Sequence, residues 1–341
     1  MTRISVIVPT YNRLDRLKRV LDGFEKQTYS LTDFEMVVVS DGSSDGTDDY
    51  LRTLSTPLRL TAVFQPNQGV AVARNHGLER ATGELILFVD DDVVPTPQLI
   101  EEHLRYHDAD NASHDLVVMG PMLTPAPQDF KMAPWVQWEQ AMLMKQYDDM
   151  ITGRWEPTAR QFYTGNTSLP RHHVVEAGGF DPNFRRAEDV ELAYRLADRG
   201  LRFQFNPDAI GYHYAERSFA SWIAIPYTYG RNDVLFTHHK GQDWLLPTIL
   251  YEFHGRNPLI RLLTHTCLDR KLLSHVAIQT FKHGATVAHL LGMSKFARMS
   301  YSAIFNLRHY QGIADELGGR EKFFNQVAQS TSEIGPPELA G

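Results

Sequence analysis

Short β-branched runs punctuate the first part of the chain, and helical patterns separate several of them. "ISVIVPT" begins at Ile4, "EMVVVSDG" at Glu35, "LRLTAVF" at Leu58, "ELILFVDDD" at Glu84 and "DLVVMGPM" at Asp115. Leu14, Leu17, Leu21 and Phe24 share one helical face, and Val70, Arg74 and Leu78 mark a helix that starts after Gly69. Strands that are apolar throughout, rather than at every second residue, are buried on both sides. Alternating with helices, they predict an α/β domain with a mainly parallel sheet and helices on both faces.

From about Trp222 the texture changes to long helical patterns such as "PLIRLLTHTCLDRKLLSHVAIQTF". The sequence therefore predicts an α/β domain over residues 1–221, a C-terminal helical region over 222–329 and a frayed tail over 330–341. The 341 residues, 43% of them apolar, are enough for one large core and an appended region. A net charge of -7 argues against general nucleic-acid binding, which needs a broad basic surface to displace phosphate counterions. Cys267 is the single cysteine, so an intrachain disulfide and a cysteine-built metal site are excluded and a reducing compartment fits. "MTRISVIVPT" carries no signal-peptide pattern, and no apolar run approaches the roughly 20 residues that cross a bilayer. The expectation is a cytoplasmic protein, with contact at the inner face of the membrane still open to it.

In parallel α/β sheets ligands gather beyond the carboxyl ends of the strands. Three such ends carry polar clusters: "PTYNR" at Pro9 to Arg13, "SDGSSDGT" at Ser40 to Thr47, and the triplet Asp90, Asp91, Asp92. If the strand continues through the triplet, Asp90 and Asp92 point to one side and Asp91 to the other. Two same-side carboxylates make a hard oxygen site suited to Mg²⁺ or Mn²⁺ with positions left for substrate phosphates. The alternative is a solvated turn with incidental acids. "DDDVV" also fits the pattern of haloacid-dehalogenase-like phosphotransferases, but those place it on the first strand. "DGSSDG" half-fits a calcium loop, yet Arg52 stands where the closing Glu belongs.

Taken in order, "VIVPTYNR", "VVVSDGSSDGT", "NQGVAVARNHGL", "DDD", "GNTSLPR", "GGFDPNF" and "AEDVELAYRL" span about Ile4 to Tyr214. In this order and spacing the chain resembles the inverting glycosyltransferases of family two, which have the GT-A nucleotide-sugar fold. The resemblance implies that Pro9, Tyr11 and Asp41 hold the base, with Tyr11 as a stacking face and Asp41 accepting from a base N–H. Uracil is favoured, though guanine and thymine present such a donor too. Arg74 is carried over as a nucleotide or diphosphate contact. Asp90 and Asp91 meet the ribose and base side, and Asp92 coordinates the metal with Asp90 sharing it. In several relatives a histidine after the last sheet strand completes the metal shell, and His213 of "IGYHYAE" stands there; a structural histidine is the alternative. A nitrogen ligand tilts the ion toward Mn²⁺.

Glu188 and Asp189 open a helical pattern whose face is Val190, Ala193, Leu196 and Ala197 and whose stop is Gly200. Acids at a helix entry are favoured by capping and by the helix dipole alone. The resemblance nevertheless makes Asp189 the general base. It puts Glu188 with Gly165 and Asn166 on the acceptor side. The implied activity is metal-dependent, inverting transfer from a nucleoside-diphosphate sugar, UDP favoured, to a hydroxyl of a glycan or lipid-linked acceptor. Two other readings stand beside it. Phosphoryl or nucleotidyl transfer also uses paired acids and a metal, but a Gly-rich basic loop is missing from "PTYNRLDRL". A non-catalytic nucleotide-sugar binder would be expected to have lost Asp189 or the triplet.

Asn111 and Asn166 each begin an Asn-x-Ser sequon, which a cytoplasmic chain leaves unmodified. Between His254 and Tyr310, eight Lys and Arg residues face only Asp269. Such helices fit either an anionic membrane surface or a helical cap with solvated charges.

Overall fold

The structure, a computed structural model, describes residues 2–109 and 115–333, with side chains to residue 330. Asn111 and the tail from residue 334 onward lie outside the described residues. Two compact units divide the chain: residues 1–131 with 142–215, and residues 132–141 with 216 onward. The sequence placed one boundary at 221 and had no signal for the excursion of 132–141 into the second unit.

In chain order the first unit holds β1 (Ile4–Thr10), α1 (Leu14–Glu25), β2 (Phe34–Asp41), α2 (Thr47–Thr53), β3 (Leu60–Gln65), α3 (Val70–Arg80), β4 (Leu85–Val89), β5 (Val93–Pro95), α4 (Leu99–His107), β6 (Leu116–Met119) and β7 (Met122–Leu123). It continues with the end of α5 (Pro134–Ile151), then β8 (Asn166–Pro170), α6 (Arg171–Glu176), α7 (Glu188–Asp198), β9 (Arg202–Phe205) and β10 (Gly211–His213). Seven strands form one sheet in the order β3-β2-β1-β4-β8-β6-β9, and β8 alone runs antiparallel to its neighbours. The predicted "DLVVMGPM" strand is split at Gly120: β6 stays in this sheet and β7 leaves it.

The continuous apolar strands are buried on both sides, as their composition requires. Val6 and Val8 join Leu17, Leu21 and Phe24 of α1 in one core, while Ile7 lies under α3, close enough that a Cβ on Gly77 would sit 2.5 Å from its Cγ2. Pro9 is buried in β1 opposite Val39 of β2, past the last pairing with β4 at Ile7 and Phe88. Its missing N–H therefore breaks no ladder on that side.

A second small sheet, β5-β10-β7, decides where the site forms. β10 runs antiparallel to β5 with His213 opposite Val93, the residue after the triplet. Behind β8 lies a buried polar network. Asn166 donates to the carbonyls of Pro121 (3.1 Å) and Ala209 (2.7 Å), which fixes its Oδ1 toward His103 Nε2 at 2.9 Å. His103 Nε2 must then donate, so His103 Nδ1 accepts from Ser168 Oγ at 2.8 Å. Burial holds His103 neutral, pulled down to about 4. Asn166→Ala would strand the Ala209 carbonyl and an imidazole N–H in the interior, at about 1–3 kcal/mol for each unmade bond, while the Pro121 carbonyl keeps the Gly211 N–H at 3.0 Å. Thermal unfolding should show a midpoint several degrees lower; an unchanged midpoint would remove the network as a source of stability.

The second unit contains the start of α5, then α8 (Phe219–His239), α9 (Leu245–Gly255), α10 (Pro258–Cys267), α11 (Lys271–Leu290), α12 (Ser294–Leu317) and α13 (Arg320–Glu333). Trp138, Trp222, Ile278, Ala285, Tyr301 and the free, buried Cys267 share its core. Among the described residues no helix is long and apolar enough to cross a membrane.

Candidate active site

The acidic triplet is a turn, not a strand. β4 ends at Val89, and Val93 N–H donates to the Asp90 carbonyl at 3.1 Å. Alternation stops there, so the expected pairing of Asp90 with Asp92 is corrected: Asp91 and Asp92 face one way together and Asp90 faces another. Arg13 Nη1 lies 2.7 Å from Asp91 Oδ1 and 3.2 Å from Asp92 Oδ2, and Arg16 Nη1 is 3.5 Å from the latter. Thr10 Oγ1 donates to Asp91 Oδ2 at 2.8 Å. Burial and the adjoining Asp92 push Asp91 up to about 6 even with Arg13 against it. Arg13 and Arg16 are the residues that sequence reasoning missed. Their signal was present in "YNRLDRL", where two arginines sit one helical turn apart at the entry of α1, beside β1.

Asp90 belongs to a different cluster. Its Oδ1 accepts from Arg74 Nη2 at 2.9 Å, and Arg74 Nη1 donates to Glu188 Oε1 at 2.6 Å. Arg74 is only 4% exposed and lies over the Phe180 ring, 5.5 Å from its centre. Both its terminal nitrogens are engaged by carboxylates, so the structure makes it a bridge between the end of β4 and the start of α7. Gly165 completes this corner: a Cβ there would lie 2.4 Å from Met122 Sδ and 3.1 Å from Asp90 Oδ2, so a larger residue would have to displace the Met122 side chain.

Next to Glu188, Asp189 sits deep among protein atoms but keeps a solvent-reached edge. Its Oδ1 accepts from the Val190 N–H at 2.9 Å. Burial first, and the Glu188 carboxylate second, push it up to about 7, against the pull of Arg74. Ala187, immediately before the pair, holds the left-handed conformation at φ 58°. A non-glycine residue there carries strain of the kind that concentrates at functional sites.

Of the other expected site residues, Tyr11 is 48% exposed at the end of β1, open for stacking. Asp41 is buried, and its Oδ1 accepts from Gln65 Nε2 (2.6 Å) and Gln68 N–H (2.8 Å), its Oδ2 from Gly69 N–H (2.9 Å). A carboxylate offers about four lone-pair positions. One on Oδ2 therefore remains for a ligand. Asn166 is corrected: fully buried, with both amide hydrogens and its oxygen committed to the network behind β8, it is no acceptor contact.

His213 Nε2 approaches Asp92 Oδ1 to 3.5 Å, and Tyr214 N–H donates to the Asp92 carbonyl at 2.8 Å. Two ligands of one octahedral ion, each about 2.1 Å from it, lie about 3 Å apart. Asp92 and His213 thus fit one divalent cation as neighbouring ligands. Among the described residues no three His, Cys, Asp or Glu side chains converge on a common point. Asp90, held by Arg74, does not join them.

A mainly parallel sheet with one reversed strand, and an acidic turn at the carboxyl end of its fourth strand, define the class: a GT-A fold. The profile described as Glycosyl transferase family 2 matches residues 5–164. Validoxylamine A glucosyltransferase of Streptomyces hygroscopicus subsp. jinggangensis (strain 5008) is 34% identical over 231 residues, 61% of this chain and 54% of that protein. The chain spans about half the length of this relative and of its counterpart in subsp. limoneus. Among solved structures, the mannosyltransferase PcManGT from Pyrobaculum calidifontis, in complex with GDP-Man and Mn²⁺, has a TM-score of 0.50 and 25% identity over 67% of this chain and 61% of that one. S. aureus TarS 1–349 in complex with UDP-GlcNAc has a TM-score of 0.55 at 19% identity, over 91% and 90%, a likeness of fold. The likeness, over residues 5–164 to the profile and over 61% of the chain to the first of these relatives, is to glycosyltransferases of family 2.

Proposed function

We propose that this chain transfers a sugar from a nucleoside-diphosphate sugar to an acceptor hydroxyl with inversion at the anomeric carbon, in the assembly of a glycan, polysaccharide or glycolipid. The observation that carries this reading is the Arg74 bridge. It ties Asp90, at the acidic strand end, to Glu188, whose neighbour Asp189 is a carboxylate pushed up to about 7.

The donor end is built from Tyr11, whose exposed ring can stack on a base, and Asp41, whose spare lone pair can accept a base N–H. Uracil and guanine both present that donor, and a UDP-sugar is the favoured choice. Asp92 and His213 would hold Mn²⁺ or Mg²⁺, the nitrogen favouring Mn²⁺. When bound, the cation supplies positive charge for the diphosphate that departs. PcManGT, solved with GDP-Man and Mn²⁺, supports this assignment. Arg13, with a side chain 42% exposed, can turn from Asp91 and Asp92 toward a phosphate.

At the acceptor end the hydroxyl oxygen attacks the anomeric carbon from the face opposite the leaving group. A carbon–oxygen bond forms as the bond to the diphosphate breaks, and its electron pair leaves with the phosphate. The hydroxyl proton passes to Asp189, whose raised pKa lies near neutral pH, where general-base catalysis is most efficient. A single displacement inverts the centre and needs no covalent enzyme nucleophile.

Calorimetric titration with UDP and with GDP, each with Mn²⁺ and with chelator, tests the donor end. Affinity should fall at least tenfold with chelator and likewise in Asp92→Ala. Identical affinities would separate the acidic turn from nucleotide binding. NMR of the product formed from an active donor tests the rest, and retained anomeric configuration would eliminate the single displacement.

A further inference from the structure

The apolar side chains exposed on the second unit concentrate at one place. Between Leu290 and Met299 five large apolar residues face solvent: Leu290 (79% exposed), Leu291 (68%), Met293 (52%), Phe296 and Met299. Gly292, at φ 70°, turns the chain between α11 and α12, so all five cluster around one hairpin turn. At 100° per residue, Leu272, Val276, Val287 and Leu290 form a stripe along α11 opposite the buried Ser274, Ile278, Ala285 and Ala288. One face of that helix fills the core of its unit, and the other carries exposed apolar residues at both ends with the polar Gln279, Thr280 and His283 between them.

The charges around this patch have one sign. Arg270 and Lys271 start α11, and Lys295 and Arg298 stand among the exposed apolar residues of α12. None of the four is in an ion pair among the described residues, and no Asp or Glu occurs from Arg270 to Ala314. A large apolar patch with a polar rim marks an interaction surface. A second copy of this chain would set two cationic rims against each other in a two-fold contact, which charge repulsion opposes. Leu290 and Leu291, almost unpacked by neighbours, have the form of side chains that enter a fluid apolar phase.

We infer that the α11–α12 hairpin docks on an anionic phospholipid bilayer, with Leu290, Leu291, Met293 and Phe296 among the acyl chains and Lys295 and Arg298 on lipid phosphates. This concerns where the enzyme sits and is independent of the transfer reaction.

Flotation of the full chain with vesicles of phosphatidylcholine alone, or of phosphatidylcholine mixed with phosphatidylglycerol, tests it. The chain should float with the anionic vesicles and remain behind with the neutral ones. Lys295→Ala/Arg298→Ala should weaken binding about 25-fold, each basic residue counting for roughly fivefold. Leu290→Ser/Leu291→Ser should weaken it about a hundredfold. Both pairs are exposed, so circular dichroism and turnover on a soluble acceptor should match the parent. Absence of flotation with anionic vesicles, or equal flotation with neutral ones, overturns the inference. So does a dimer in sedimentation velocity that the double serine variant abolishes while neither chain binds vesicles.

Discussion

Asp189→Asn is expected to lower kcat by about 10²–10⁴-fold while leaving the affinity for the nucleoside diphosphate unchanged. The amide keeps the size of the carboxylate and can still accept from the Val190 N–H, so the entry to α7 is preserved, but it cannot take up the acceptor proton. The parent should lose kcat/KM below about pH 7 and level off above it, because only the ionised carboxylate is a base. Stability should move the opposite way. An acid whose folded pKa lies above its unfolded value of about 3.9 binds its proton more tightly when folded, so ionisation opposes folding. That penalty is absent below about pH 4 and full above about pH 7. Asn carries none of it. The variant should therefore unfold a few degrees above the parent at pH 8, with the gap closing toward pH 4. Full turnover in the variant would remove Asp189 as the base, and equal melting at pH 8 would remove the desolvated carboxylate.

Arg74→Met should have the largest effect on stability. The guanidinium is buried between Asp90 and Glu188, with Glu188 itself buried, and Met fills the space without the charge. Glu188, Asp189 and Asp90 would then share a corner with no cation among them. Breaking a buried pair from one side costs about 3–5 kcal/mol. A fall in Tm of roughly 10 °C is expected for a unit of this size. Adding Glu188→Gln should recover part of it, since one unpaired carboxylate is removed. If the double variant melts no higher than the single one, the loss is packing against Phe180 rather than charge, and thermal unfolding of the pair decides between them.

The parallel strands were legible because burial on both faces forces a continuous apolar run, which is visible in "SVIV", "VVVS" and "ILFV". The helix entry at Glu188 and its stop at Gly200 were legible for a similar reason, since acids in the first turn and a left-handed glycine past the last are local. Asn166 misled because its motif records neighbours in sequence, whereas its amide is used by Pro121, Ala209 and His103, remote along the chain. Asp90 misled because strand alternation was extended three residues past Val89, into a turn.

The sequence by itself determined which elements exist, which strand ends carry polar chemistry, and that three acids crowd one of them. Those properties follow from periodicity and residue type, which act over a few residues. Tertiary structure alone decided how the acids are shared. Asp91 and Asp92 are neutralised from α1, Asp90 is joined to Glu188 through Arg74, and His213 arrives beside Asp92 because β10 pairs with β5. Each of these contacts spans a distance in sequence that no local rule covers, and the burial that raises Asp189 exists only once the chain has closed around it.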